Sequence, residues 1–316
     1  MVNIIKKCVL LFSGGLDSRL VLKIMQDQGY DITAVFFKLP FGCGSCDAFG
    51  CSFNFSQIEG VKLEVFDCTK GDLLKEYMSI LKGAKNGRGS GVNPCRDCKI
   101  FMFERAKKFA DDRKIDLLVT GEVLGERPMS QLRKSMDLIE DQSDLKGRLL
   151  RPLSAKLLPE TNAEKEGFVD RSKLYDIHGR RREKQMALAE KFKIKYPAPA
   201  GGCLLCEKLL KKRFEFLFKR GITEKELPLT YIGRQFIIDG SWIVLGRDRK
   251  ENDLIEMVGK DKEVGRLITS DNLKLTGPSV MVLDGKVEAS KIHDLIRAYS
   301  KEGSLEARDK FDKFKL

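Results

Sequence analysis

The 316 residues are 42% apolar and 33% charged, enough to bury one full core with material for a second, which excludes disorder as the dominant state. No run approaches the ~18 apolar residues that a membrane span needs, and Met1 leads into a charged and then strand-like segment without a signal peptide's cleavage site; the chain reads as cytoplasmic, with no membrane partner. The net charge of +12 is uneven, with 28 Lys and Arg against 25 Asp and Glu in residues 1–178, 14 against 6 in 179–230 and 16 against 15 in 231–316, so the middle segment suggests a localised anionic partner.

Residues 8–12 form a short apolar run, 18–26 have helical spacing, 32–37 are β-rich and 61–66 alternate as a half-buried strand. Residues 72–81 and 100–110 read as amphipathic helices, and 116–119 as a buried strand before Thr120-Gly121. This βαβ order predicts a parallel α/β sheet with ligands at the carboxyl ends of its strands. A helical stretch spans 183–193. After Leu227-Pro228 the pattern becomes short-stranded (235–238, 242–245, 280–283) with helices at 252–258 and 289–297, a second, smaller α+β domain. The organisation expected is a domain over 1–207, a basic helical connector over 208–230 and the small domain over 231–316. The last residues, 310–316, look frayed.

Ser13-Gly14-Gly15-Leu16-Asp17-Ser18 follows the first strand and opens a helix. Two glycines admit an anion close to the backbone, Ser13 and Ser18 add hydroxyl donors, and the helix N-terminus adds unpaired N–H groups. The loop suits phosphate, although the Gly-Lys-[Ser/Thr] ending of a Walker loop is absent. Nine cysteines, an odd number gathered mostly in short clusters, point to metal binding or sulfur chemistry in a reducing compartment. The pairs Cys95/Cys98 and Cys203/Cys206 suit a structural zinc site, an iron–sulfur cluster or a persulfide relay. Cys43, Cys46 and Cys51 lie in a Gly-rich loop with no role decided by spacing, and Cys8 and Cys68 read as core residues.

The hexapeptide after the first strand resembles the PP-loop family of ATP pyrophosphatases, whose members adenylate a carbonyl oxygen, release pyrophosphate and let a nucleophile displace AMP. The resemblance implies a doubly wound parallel sheet of adenine nucleotide alpha hydrolase type. It also implies that Ser13, Gly14, Gly15, Asp17 and Ser18 hold the pyrophosphate end of ATP with Mg2+, and that Phe37 flanks adenine. Asn93-Pro94-Cys95-Arg96-Asp97-Cys98 and Gly201-Gly202-Cys203-Leu204-Leu205-Cys206 resemble the motifs of tRNA 2-thiouridylases and 4-thiouridine synthetases. Thr120-Gly121-Glu122 resembles that branch's Thr-Gly-His, which places Gly121 at the nucleotide.

Two departures stand out. Cys95 replaces an Asp and Glu122 replaces the His. The Cys95 change resembles the iron–sulfur-dependent thiolation enzymes, which implies that Cys95, Cys98 and Cys203 carry the chemistry, with Asp17, and ligate a [4Fe–4S] cluster, Cys206 being an alternative third or a fourth ligand and zinc an alternative metal. The basic segment then fits a tRNA backbone through Arg180, Arg181, Arg182, Lys211, Lys212 and Arg213, with a solvated helix face as the plainer account of the charges alone. The small domain resembles the RNA-contacting domain of ribosome-quality-control and fibronectin-binding-like proteins at Gly246–Asn252 and Gly277–Val280. The function implied is ATP-dependent thiolation of a tRNA pyrimidine with a sulfide or persulfide donor. A PP-loop amidotransferase or ligase with structural zinc sites, or a nonenzymatic RNA-binding module, are the alternatives.

Overall fold

Three successive residues of Lys7–Leu11 (β1), Cys8, Val9 and Leu10, are fully buried, because this strand is covered on both faces. The computed structural model describes residues 6–42, 61–197 and 202–316. After β1 come α1 (Leu16–Asp27), β2 (Asp31–Lys38), β3 (Lys62–Asp67), α2 (Gly71–Lys82), α3 (Cys95–Asp111), β4 (Leu117–Thr120), α4 (Arg133–Gln142), β5 (Leu149–Leu150), the single turn α5 (Asn162–Lys165) and α6 (Glu183–Lys191). The strands pair in the order β3-β2-β1-β4-β5, all parallel. Strand alternation feeds two cores: Cys8 and Leu10 pack with Leu20 and Ile24 of α1, while Val9 packs with Phe103, Ala106 and Ala110 of α3. The α/β doubly wound expectation holds.

This winding sets the place of the site. The chain runs outward from β1 to β3 and then returns to β4 on the other side of β1, so the carboxyl ends of β1 and β4 flank the crevice where the order reverses. The register pairs Leu11 with Thr120, which brings Ser13–Ser18 beside Gly121.

The described chain divides into two units, Met1–Cys206 and Glu207–Leu316. The second contains α7 (Lys211–Arg220), a 3-10 segment (Glu224–Thr230), β6 (Arg234–Ile238), β7 (Ser241–Leu245), α8 (Arg249–Gly259), β8 (Arg266–Ile268), β9 (Val280–Leu283), α9 (Ala289–Tyr299) and α10 (Leu305–Asp312). Its sheet has the order β6-β7-β9-β8 and is antiparallel throughout. Phe236, Ile243, Leu245 and Val282 pack there against Ile292, Leu295 and Ile296 of α9.

The 208–230 stretch, expected as a basic helical connector, groups with the second unit: Phe214, Leu217 and Phe218 are buried and Gln235 Nε2 donates to the carbonyls of Leu229 and Ile232, at 2.7 and 3.1 Å. The C-terminus is not frayed. Phe314 O accepts from Ile237 N and Leu316 N donates to Gln235 O, at 2.8 and 2.9 Å, so the last residues cover the open edge of β6.

Candidate active site

The Ser13–Ser18 loop is held by its own polar groups. Ser18 Oγ donates to Gly15 O at 2.9 Å and Arg19 Nε donates to Gly14 O at 2.7 Å, while Gly14 turns at φ +76°, a conformation that favours glycine. Helix α1 starts at Leu16, two residues before the helical spacing suggests, so Asp17 stands in its first turn. A Cβ on Gly121 would lie 2.8 Å from Ser18 N and 2.9 Å from Asp17 C; only glycine lets the end of β4 approach α1 this closely.

Asp17 is the unsettled group of the loop. Its Oδ1 is buried without a hydrogen-bond partner. Burial, and then the Glu126 carboxylate, push its pKa up to about 6 against the pull of Arg182 and Arg127. An orphaned buried carboxylate oxygen beside a helix N-terminus is suited to a cation that accompanies phosphate.

The cysteine pairs meet although about a hundred residues separate them. Pro94 is the N-cap of α3, so Cys95 and Cys98 lie in its first turns; the apolar period that predicts a helix begins only at Ile100, which hides this start. The second pair is docked by backbone, with Val92 N donating to Leu205 O at 2.9 Å. A Cβ on Gly91 would stand 2.3 Å from that same carbonyl. Cys206 lies within hydrogen-bonding reach of Cys95 and of Cys203, and Cys203 is an electrostatic neighbour of Cys98.

Two of the thiols are also held individually. Asn93 Nδ2 donates to Cys95 Sγ at 3.1 Å, and the buried Tyr77 hydroxyl lies 3.4 Å from Cys98 Sγ. Burial pushes Cys98 up to about 11 and raises Cys95, while the contact with Cys206 and then burial raise Cys203. Among the described residues no group of three Cys, His, Asp or Glu side chains is arranged to hold a metal ion. Cys43, Cys46, Cys51 and Gly201 lie outside the described residues.

Sequence reasoning gave no role to Lys99 or Arg151, and read Glu122 only as a departure. Glu122 is 3% exposed; one carboxylate oxygen accepts from Lys99 Nζ, and the other accepts from Arg151 Nε at 3.0 Å. Arg151 Nη1 continues to Glu140 at 2.6 Å. Although burial acts to raise it, the two cations hold Glu122 below the usual carboxylate range. Lys99 follows Cys98 directly and stands four residues after Cys95 on one helix face, a spacing visible in the sequence. The path from Gly121 through Glu122 to Lys99 joins the Ser13–Ser18 loop to the cysteines.

Three expected contacts fall elsewhere. Phe37 stacks on Phe66 at 4.8 Å, on the sheet face packed by α3 and away from α1, because strand alternation sends it there; its partly buried ring packs against that core. Arg213 is 7% exposed, donates to Gly233 O at 3.2 Å, and burial lowers its pKa to about 10, so it does not offer a surface charge. Arg180, Arg181, Lys211 and Lys212 are exposed. Arg182 is half-buried with Nη2 3.8 Å from Asp17 Oδ2.

Residues 6–185 match the family described as tRNA methyl transferase HUP domain. Among curated proteins, the tRNA-specific 2-thiouridylase MnmA of Clostridium acetobutylicum is 29% identical over 152 residues, 44% of this chain and 42% of that protein. A probable tRNA sulfurtransferase of Finegoldia magna is 29% identical over 154 residues, covering 46% and 35%. The chain thus matches less than half the length of these relatives. Two solved structures are similar: a predicted subunit of tRNA methyltransferase from Methanocaldococcus jannaschii (16% identity, TM-score 0.38, 70% of this chain and 91% of that one), and a 4-thiouridine synthetase–RNA complex with bound ATP (18%, TM-score 0.36, 71% and 52%).

Proposed function

Because this chain belongs to the tRNA methyl transferase HUP domain family, we propose that it thiolates a pyrimidine of tRNA at the expense of ATP. The observation that carries this reading is the meeting of Cys95, Cys98, Cys203 and Cys206 at the start of α3, linked through Lys99 and Glu122 to a glycine packed on the phosphate loop. Curated relatives named for tRNA thiolation support it.

The reaction follows from these parts. Ser13, Gly14, Gly15 and Ser18 would cradle the pyrophosphate end of ATP at the N-terminus of α1, and Asp17, whose Oδ1 is buried without a partner, would hold the Mg2+ that offsets the phosphate charge. The carbonyl oxygen of a uridine or cytidine attacks the α-phosphorus, and the bond from that phosphorus to pyrophosphate breaks. A sulfur nucleophile then adds to the activated carbon, and AMP departs with the original oxygen, leaving C=S in place of C=O. Lys99 stands beside the cysteines and, through Glu122, holds the end of β4, so thiols and nucleotide share one crevice.

The sulfur-carrying group is the finer part of the proposal. Cys95, Cys98 and Cys203, with Cys206 beside them, are the donor type that a [4Fe–4S] cluster uses, although the side chains are not arranged as a metal-ion site in this structure; a cluster held there would supply the site that carries sulfide. Zinc or a persulfide relay are the competing uses of the same donors. Anaerobic purification followed by iron, sulfide and zinc analysis separates them. The proposal expects about four irons per chain, lost in Cys95→Ser, Cys98→Ser and Cys203→Ser proteins that still bind ATP. Stoichiometric zinc with no iron after anaerobic reconstitution would contradict the cluster and favour a ligase with structural zinc or a persulfide route.

A further inference from the structure

The basic run His178–Arg182 is not one surface. A parallel bridge joins Leu124 to His178, and Gly179 N donates to Leu124 O at 2.7 Å. That bridge pins the run beside the segment leaving β4, and Gly179 then turns at φ +85°. Arg180 and Arg181 are exposed, whereas Arg182, the N-cap of α6, is turned toward Asp17.

The contact that Arg182 makes there is incomplete. The 3.8 Å separation from Asp17 Oδ2 is too long for a hydrogen bond. Arg182 Nε and Asp17 Oδ1 are both buried without partners. Native chains leave few such groups unsatisfied, and a donor and an acceptor left open at one place point to a missing ligand. The ligand must accept from a guanidinium and lie at a helix N-terminus, which describes a phosphate group. Asp17 and Glu126 already balance Arg127 and Arg182 in charge, so a triphosphate entering here brings its own cation to Asp17 and releases Arg182.

On the reading that the loop binds ATP, we propose that Arg182 belongs to the nucleotide site: it turns from Asp17 to the β- and γ-phosphates and stays with the departing pyrophosphate. As the substrate oxygen bonds to the α-phosphorus, the electron pair of the breaking bond leaves on pyrophosphate, and the guanidinium neutralises that added charge. Its planar fork pairs with two phosphate oxygens at once, which lysine cannot do.

The test is calorimetric titration of the full chain with Mg2+ and, in turn, pyrophosphate, α,β-methylene ATP and AMP. Arg182→Met should weaken pyrophosphate and the ATP analogue about 10- to 100-fold, the worth of a charge-assisted hydrogen bond, and leave AMP within about twofold. Arg182→Lys, which keeps the charge and guards against misfolding of the first variant, should recover part of the loss. Arg180→Met and Arg181→Met should leave pyrophosphate affinity unchanged. Pyrophosphate binding by Arg182→Met within twofold of the parent, or an equal loss for AMP, would overturn the assignment. A parent protein that binds neither ATP analogue nor pyrophosphate would overturn the ATP reading and this inference with it.

Discussion

Asp17 shows how a single largely buried carboxylate can oppose folding. Its pKa of about 6 in the folded chain, raised by burial and Glu126, exceeds the unfolded value near 3.9. The folded state therefore holds the proton more tightly, and this group's contribution to stability falls as pH rises from about 4 to about 6, staying unfavourable above that. Asp17→Asn should remove the slope and stabilise the nucleotide-free protein at pH 7 by about 1–3 kcal/mol, while abolishing Mg2+-dependent ATP binding. Denaturant titrations of both proteins between pH 4 and 7.5 check this; parallel curves would refute it. Glu122 behaves oppositely. Its lowered pKa adds stability that is present above the unfolded carboxylate value and is lost as pH falls through the folded one. Glu122→Gln leaves half-buried Lys99 and buried Arg151 beside a neutral group and should cost about 3 kcal/mol; a loss below about 1 kcal/mol in urea titrations would show that the network is not structural. The sequence made the carboxylates visible but not their surroundings. Arg182 and Arg213 look like other surface charges in a basic run, and only the Leu124–His178 bridge and the packing of α7 turn them inward.

Elements were legible where the signal is local. The strands before and after the phosphate loop follow from apolar runs, and the hexapeptide itself marks the turn into α1. The start of α3 was hidden because its first turn carries Cys95, Arg96, Asp97 and Cys98, with no apolar period to announce it. Neither β5, two residues long, nor the pairing of the C-terminus with β6 has a signature in its own residues; both depend on a neighbouring strand. The close approach of β4 to α1 is likewise a tertiary fact, and it can be broken by one methyl group. Gly121→Ala places a Cβ against backbone atoms of Asp17 and Ser18, which cannot yield as a side chain would. An overpacking cost of about 1–3 kcal/mol follows, with a measurable loss of ATP affinity as α1 shifts. Wild-type melting temperature and ATP affinity in Gly121→Ala would show that the two segments are not in contact.

For the whole molecule, the basic segment 179–230 falls on both units, and the exposed cations Arg180, Arg181, Lys211 and Lys212 are the ones that the proposed tRNA binding would draw on once Arg182 and Arg213 are set aside. Neutralising each residue that contacts a phosphate should lower the slope of log K against log salt for tRNA by about one, and neutralising Arg213 should leave the slope unchanged. Binding of tRNA whose slope ignores all four exposed residues would return them to a solvated surface. The central claim is that ATP consumption and sulfur insertion are one reaction on tRNA. Its most direct test is an anaerobic incubation of the full protein with tRNA, Mg-ATP and sulfide, followed by mass spectrometry of the digested nucleosides and quantitation of AMP and pyrophosphate. The account predicts one AMP and one pyrophosphate for each thiolated pyrimidine, with the thionucleoside absent from Cys95→Ser, Cys98→Ser and Cys203→Ser proteins. AMP and pyrophosphate released at the same rate with or without tRNA, and no thionucleoside formed, would contradict it.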